Sequence, residues 1–60
     1  MDPQLLIKNK KYLLGIKPGK EIVVEYVSET LNYRVFVTDD GTKIELDETS
    51  ARNDIKEIGE

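Results

Sequence analysis

The stretch EIVVEYVSETLNYRVFVTDDGTKIELD, residues 21–47, decides the fold, because apolar and polar residues alternate along it and turn residues interrupt the alternation. This pattern predicts three antiparallel strands joined by two short turns. Asp40-Gly41 is a residue pair that two-residue hairpin turns favour, since both central positions need a positive φ. The stretch therefore predicts a β-meander that the rest of the chain must cover or extend.

The turn positions also predict a register for the meander. With Asp40-Gly41 at the tip of the second hairpin, Val37 pairs with Ile44, and a loop at residues 28–31 sets the first hairpin. One face is then predicted to hold the core, and it consists of Ile22, Val24, Tyr26, Tyr33, Val35, Val37, Ile44 and Leu46. Phe36 falls on the opposite face, because successive side chains of a strand point to opposite sides.

The segment before the meander allows two interpretations. Residues 5–7 and 12–16 are predicted as short strands, because their apolar residues would be spread around most of a helix rather than along one stripe. A helix over residues 3–14 is the alternative, since Asp2-Pro3 is typical of a helix start. Lys17-Pro18-Gly19-Lys20 predicts a type II turn that leads into the meander, with the glycine supplying the positive φ.

The segment after the meander also has two interpretations. A helix over residues 48–58 would place apolar residues on one side and end at Gly59. The alternative is a 3₁₀-like turn at residues 49–53 followed by a short strand over residues 54–58. That strand would pair with the N-terminal one and close a barrel.

The second alternative gives the chain an order of elements that resembles SH3-like small barrels. A first strand, an irregular connection, a three-stranded meander, a 3₁₀ turn and a short last strand follow one another, and residues 51–58, ARNDIKEI, resemble the end of such a domain. We therefore expect a single mostly-β domain over residues 1–60, a five-stranded SH3-like barrel. The alternative is an α+β fold, an antiparallel meander with a C-terminal helix. The proline-rich-peptide groove of eukaryotic SH3 domains is not expected, because the chain has no tryptophan.

The composition argues against catalysis and against cofactors. Without cysteine or histidine the chain lacks disulfides and the usual ligands of zinc and haem. The acidic residues around Asp40 lack the spacing of an EF-hand loop, so no metal is expected. Ser28 and Ser50 lie where local backbone hydrogen bonding explains them. We therefore expect a protein that is not an enzyme.

Charge is unevenly distributed along the chain. The net charge is −3, but residues 1–20 carry five lysines against one aspartate, whereas residues 21–60 carry eleven acidic and four basic side chains. No apolar run approaches the roughly 20 residues of a membrane span. The N-terminus does not have the pattern of a secretory signal. A cytoplasmic protein without membrane contact is expected.

The predicted function is that of a small, non-catalytic binding or regulatory module acting by protein–protein interaction. Its partner would be an unidentified protein or a second copy of the chain, as in a homodimer. The residues predicted to contact the partner point away from the predicted core face or lie in a loop: Val23, Val27, Leu31, Arg34 and Phe36. The alternative is nucleic-acid binding through the basic N-terminal segment, with Lys8, Lys10, Lys11, Tyr12, Lys17 and Lys20 as the contacts.

Overall fold

The computed structural model describes residues 1–58, which form one antiparallel sheet and a short helix. A 3₁₀ turn at Pro3–Leu5 is followed by strands β1 (Lys11–Lys17), β2 (Lys20–Glu29), β3 (Tyr33–Thr38) and β4 (Lys43–Asp47), helix α1 (Glu48–Asp54) and strand β5 (Ile55–Glu57). The strand order is β4-β3-β2-β1-β5. The prediction of a mostly-β fold is confirmed. The sheet is open, with β4 and β5 as its outermost strands, so the predicted closed barrel is not observed.

The N-terminal segment forms neither the predicted strand at residues 5–7 nor the alternative helix over residues 3–14. Asp2 caps only the short 3₁₀ turn, since its carboxylate accepts a hydrogen bond of 2.9 Å from the Gln4 N–H. Asn9 then adopts a φ of 70°, and its N–H donates to the Tyr26 carbonyl at 2.7 Å. The chain turns there and enters β1, which contains the second predicted strand.

The hairpin between β1 and β2 has the turn that the Pro-Gly pair predicts. Gly19 has a φ of 80°, and Lys17 pairs with Lys20 across the turn. From there the two strands run side by side back to the pair Lys11 and Glu25. This hairpin forms the centre of the sheet.

The hairpin between β3 and β4 differs from the prediction by one residue. The Gly41 N–H donates to the Thr38 carbonyl at 3.0 Å, and the Thr38 N–H donates to the Thr42 carbonyl at 2.9 Å. Gly41 has a φ of 88°. This is a three-residue loop, a type I turn followed by a bulge glycine, rather than the predicted two-residue turn. Phe36 therefore pairs with Ile44, in place of Val37.

A β-bulge in β2 changes the register of the other hairpin of the meander. Tyr26 pairs with Phe36 and Ser28 with Val35, so Val27 is an extra residue on β2. The strand continues to Glu29, beyond the start of the predicted loop.

Together the two irregularities turn β3 over relative to the prediction. The face that carries Tyr26 and Phe36 is called the core face, and the opposite one the outer face. Tyr33, Val35 and Val37 were predicted in the core but alternate with Phe36, so they belong to the outer face.

The core face is covered by α1 and the N-terminal segment. Its buried residues are Tyr12, Leu14, Val24, Tyr26, Phe36, Ala51 and Ile55. Met1, Leu6, Ile22, Ile44 and Leu46 pack against them and are partly buried. The Tyr26 and Phe36 rings lie 5.3 Å apart at a tilt of 48°, a favourable arrangement for two aromatic rings.

Each interpretation of the C-terminal segment is right in part. A helix forms, but it ends at Asp54, because Ile55 has an extended backbone conformation. The following strand β5 pairs with β1, as the barrel interpretation predicts, and Ile55 lies opposite Leu14. The Asp47 carboxylate caps α1 by accepting a hydrogen bond of 2.7 Å from the Ser50 N–H. The predicted helix end at Gly59 lies outside the described residues.

Candidate protein-binding surface

The residues predicted to contact a protein partner occupy three different environments. Phe36 is fully buried in the core, so its predicted outward orientation is wrong. Val23 is half-buried on the outer face, where it pairs with Leu13 of β1. Val27, Leu31 and Arg34 lie together at the end of the β2–β3 hairpin. Only this last group lies at one place in the fold, the end of a hairpin.

The end of the hairpin, which we call the β2–β3 tip, consists of Val27, Glu29, Leu31, Tyr33 and Arg34. The Thr30 N–H donates a hydrogen bond of 2.8 Å to the Tyr33 carbonyl, so only two residues lie within the hydrogen-bonded turn. Leu31 is one of the two and is 96% exposed, while Tyr33 beside the turn is 45% exposed. The short, hydrogen-bonded loop therefore holds an apolar side chain out into solvent.

Arg34 gives the β2–β3 tip a partly buried positive charge. Its side chain is 14% exposed, and the guanidinium lies 3.6 Å from the Glu29 carboxylate. Burial raises the pKa of the nearby Tyr26 phenol, the charge of Glu29 raises it further, and the charge of Arg34 acts in the opposite direction. Tyr26 is therefore a neutral phenol at the inner end of the tip. The exposed charged groups of the tip are the Glu29 carboxylate and the small exposed part of the Arg34 side chain.

The outer face carries a second apolar surface, which no helix covers in residues 1–58. Val35 is buried there, whereas Leu13, Val23 and Val37 are half-buried. Charged residues of both signs border these side chains: Lys11, Glu25, Lys43, Glu45 and Lys56. The outer face is thus a mixed surface, in contrast to the apolar core face.

The predicted nucleic-acid contacts are not brought together. Lys8 and Lys10 precede β1, which begins at Lys11, whereas Lys17 ends β1 and Lys20 begins β2. A strand of that length separates the two groups by about 20 Å.

Three of the predicted nucleic-acid contacts are engaged within the chain, and the Lys10 ammonium lies 5.6 Å from the centre of the Tyr12 ring. The Tyr12 ring is fully buried, its hydroxyl accepts a hydrogen bond of 2.9 Å from the Ile7 N–H, and it offers no face for stacking on a base. Lys11 lies 3.9 Å from the Asp39 carboxylate. The N-terminal lysines therefore form two separate groups, one at each end of β1.

A shallow depression of about 560 Å³ lies between the β1–β2 turn and the junction of α1 with β5. Its walls carry charges of both signs, and two of these, Lys56 and Glu21, form an ion pair at 3.4 Å. Within residues 1–58 no group of three or more acidic side chains is arranged to hold a metal ion. The depression contains no grouping of residues that defines a reaction.

Comparisons with protein-family models, with curated proteins and with solved structures found no match to this chain. No helix in the described part of the chain has the length and apolar character needed to cross a membrane. The candidate surface therefore depends on the geometry of this chain alone.

Tyr33 is the residue of the β2–β3 tip that sequence reasoning missed as a surface residue. It was assigned to the core because the predicted register placed it opposite Tyr26. The register differs because of the bulge at Val27, and the sequence has no glycine there that would indicate a bulge. The exposed Leu31 was found correctly in a loop, since it lies among turn-forming residues.

Proposed function

We propose that this chain is a small, non-catalytic binding module that acts by protein–protein contact through the β2–β3 tip. We also propose that its fold is related to the SH3-like small barrels. The strand order β4-β3-β2-β1-β5 supports this relationship, since the last strand pairs with the first of the sheet. A helix between β4 and β5 occupies the position of the 3₁₀ turn in that order.

The observation that carries the proposal is the exposure of Leu31 in a short, hydrogen-bonded loop. A single exposed leucine on a protein surface is ordinary. Here the leucine stands at the end of a hydrogen-bonded hairpin, beside the half-exposed ring of Tyr33. Because the hydrogen bond restrains the backbone of the turn, less backbone freedom is lost when Leu31 enters a pocket on a partner, and this favours binding.

The other residues of the β2–β3 tip fit the composition of protein interfaces. Tyrosine and arginine are enriched at interface centres, and both occur here within three residues of Leu31. The Glu29 carboxylate lies 3.6 Å from the Arg34 guanidinium and offsets its charge, although the buried Arg34 Nε makes no hydrogen bond within residues 1–58. The proposed contact is therefore an apolar one with a polar rim.

The proposal can be tested by photo-crosslinking from position 31 in cells. A photoreactive residue at position 31 is expected to link a specific protein, and the same residue at the exposed Thr49 of α1 serves as the control. The linked protein is then purified and titrated into isotope-labelled chain. Amide shifts centred on Val27 to Arg34, lost in Leu31→Ser, support the proposal; equal crosslinking from both positions contradicts it.

A titration with short mixed-sequence DNA at low salt completes the test. The proposal predicts no amide shifts in this experiment. Shifts at Lys8, Lys10 and Lys17 that disappear at high salt would instead indicate nucleic-acid binding.

A further inference from the structure

The outer edge of β4 has backbone groups that no other described segment uses. The Thr38 N–H donates to the Thr42 carbonyl at the start of the β3–β4 ladder. In an antiparallel ladder, pairs of residues that exchange backbone hydrogen bonds alternate with pairs that do not. Ile44 therefore exchanges backbone hydrogen bonds with Phe36, and the N–H and C=O groups of Lys43 and Glu45 point away from β3. No hydrogen bond from another part of residues 1–58 reaches them. An unpaired row of this kind can accept a further strand.

Charge along β4 is complementary to itself in the antiparallel direction. Lys43 and Glu45 are two residues apart and lie on the outer face, with Ile44 between them on the core face. When two copies of β4 pair around a two-fold axis at Ile44, Lys43 of each copy lies opposite Glu45 of the other. Opposite charges on directly facing residues stabilise a pair of strands.

The side-chain charges of β4 also favour one register among those in which the outward N–H and C=O groups of two β4 strands can form hydrogen bonds. An axis at Lys43 or at Glu45 would place like charges opposite each other, which destabilises strand pairing. An axis at Leu46 would oppose Glu45 with Asp47, whose carboxylate is engaged as the cap of α1. Pairing around Ile44 alone gives two opposite-charge contacts without a like-charge contact, since an axis at Glu45 would pair Lys43 with Asp47 but also oppose the two Glu45 carboxylates.

We propose that the chain forms a symmetric homodimer in which two β4 strands pair antiparallel around Ile44 and join the two sheets. The pairing supplies about four hydrogen bonds between the backbone groups of Lys43 and Glu45. It also brings the half-buried Ile44 side chains of the two copies together at the edge of the core face. Each copy meets the other through the same residues, as a two-fold interface requires.

The features that commonly protect a sheet edge are weak in β4. Charged residues on an edge discourage pairing when they repel the incoming strand. Here the two charges differ in sign and attract a second copy. The strand is five residues long, whereas the other edge strand, β5, has three. The interface is small, so the dimer is expected to be weak and to require protein concentrations from about 10 µM to 2 mM for its detection.

This inference does not rest on the proposed function, because the β2–β3 tip lies at the end of the sheet and stays exposed in the dimer. A dimer would carry two tips, one on each copy. Leu31→Ser is expected to dimerise like the wild-type chain, so failure of the partner contact and failure of the dimer are distinguishable.

Charge reversal at β4 tests the dimer by sedimentation equilibrium. Lys43→Glu and Glu45→Lys are each expected to weaken dimerisation by about tenfold or more, since each places like charges across both pairs. The double variant restores the complementary pairs and is expected to regain the wild-type affinity. A mixture of the two single variants is expected to form a heterodimer more readily than either variant dimerises alone. Lys20→Glu, at the β1–β2 turn, serves as a matched charge control.

Hydrogen exchange in the wild-type chain provides a readout that needs no variant. The amides of Lys43 and Glu45 are expected to become protected as the concentration rises, while that of Ile44 is protected at all concentrations. A wild-type chain that stays monomeric up to about 2 mM, a double variant as weak as the single ones, or assemblies larger than a dimer would each overturn the proposal. Assemblies larger than a dimer would indicate pairing of β4 with β5 of another copy.

Discussion

On one face of the sheet α1 and the N-terminal segment cover the rings of Tyr12 and Phe36, whereas on the other face no helix lies over Leu13 and Val23 within residues 1–58. The core face is almost wholly apolar, and the outer face alternates valines with charged residues. Both faces belong to the same five strands. The difference indicates that stability resides mainly on the core face, whereas the β2–β3 tip and the edge of β4, where we propose contacts with other chains, lie outside it.

Replacing Phe36 tests this division most strongly. Phe36→Ala is expected to destabilise the fold by about 3–5 kcal/mol, because it removes a fully buried ring and leaves a cavity beside Tyr26. That loss is comparable with the whole stability expected of a 60-residue domain, about 3–9 kcal/mol. Urea denaturation followed by circular dichroism measures it, and Phe36→Leu gives a smaller, measurable loss if the alanine variant does not fold.

Tyr33→Ala is the matched control for Phe36, since both aromatic residues belong to β3 but face opposite sides. Its half-exposed ring is expected to contribute far less than that of Phe36. Equal losses for the two variants would contradict the assignment of the core to the Phe36 face.

Much of the fold could be predicted from residues whose chemistry is local. Gly19 follows a proline and adopts the positive φ of the predicted turn, so the β1–β2 hairpin was located correctly. The pairing of the last strand with an N-terminal strand was also predicted, but this strand begins at Lys11 and the sheet stays open. These features depend on turn chemistry and on the order of elements, both of which the sequence displays.

The orientation of β3 could not be predicted, because it depends on two single-residue irregularities. An Asp-Gly pair is compatible with either a two-residue turn or a three-residue loop with a bulge glycine, and the choice reverses the facing of every side chain in β3. The bulge at Val27 has no marker in the sequence. As a result Phe36 was assigned to the candidate surface and Tyr33 to the core, although Leu31 was correctly placed in a loop.

Removing the cap of α1 should have the next largest effect. The Asp47 carboxylate satisfies the Ser50 N–H, and Ala51 of the same helix is fully buried against the core face. Asp47→Ala is therefore expected to cost about 1 kcal/mol. Thermal unfolding measures the loss, and Asp47→Asn, which keeps an acceptor, should restore most of it. If the alanine variant is as stable as the wild type, α1 contributes little to covering the core face.

Acid titration of Asp40 should have a smaller effect, confined to low pH. Hydrogen bonds from Thr38 and then Thr42 hold the pKa of the Asp40 carboxyl below its usual value. Because the folded-state pKa is lowered, the stabilisation is fully present above about pH 4 and is lost as the pH falls through the folded-state pKa.

Melting temperatures between pH 2 and pH 6 measure this contribution of Asp40. Asp40→Asn is expected to reduce the dependence of the melting temperature on pH, because the amide accepts a hydrogen bond but does not titrate. Asp39→Asn in the same turn is the control. If the melting temperature of the Asp40 variant falls at low pH as steeply as that of the wild type, this carboxylate does not stabilise the β3–β4 loop.

Replacing Leu31 should have the smallest effect on stability and the largest on binding, which separates the two roles most sharply. The side chain is almost fully exposed, so Leu31→Ser is expected to change the free energy of unfolding by no more than about 0.5 kcal/mol. If the side chain fills a pocket on a partner, the same change should weaken that complex by about tenfold or more. Denaturation of the variant and titration of the purified partner provide the two numbers. A large loss of stability would mean that Leu31 packs against the fold, whereas an unchanged affinity would remove the β2–β3 tip from the contact.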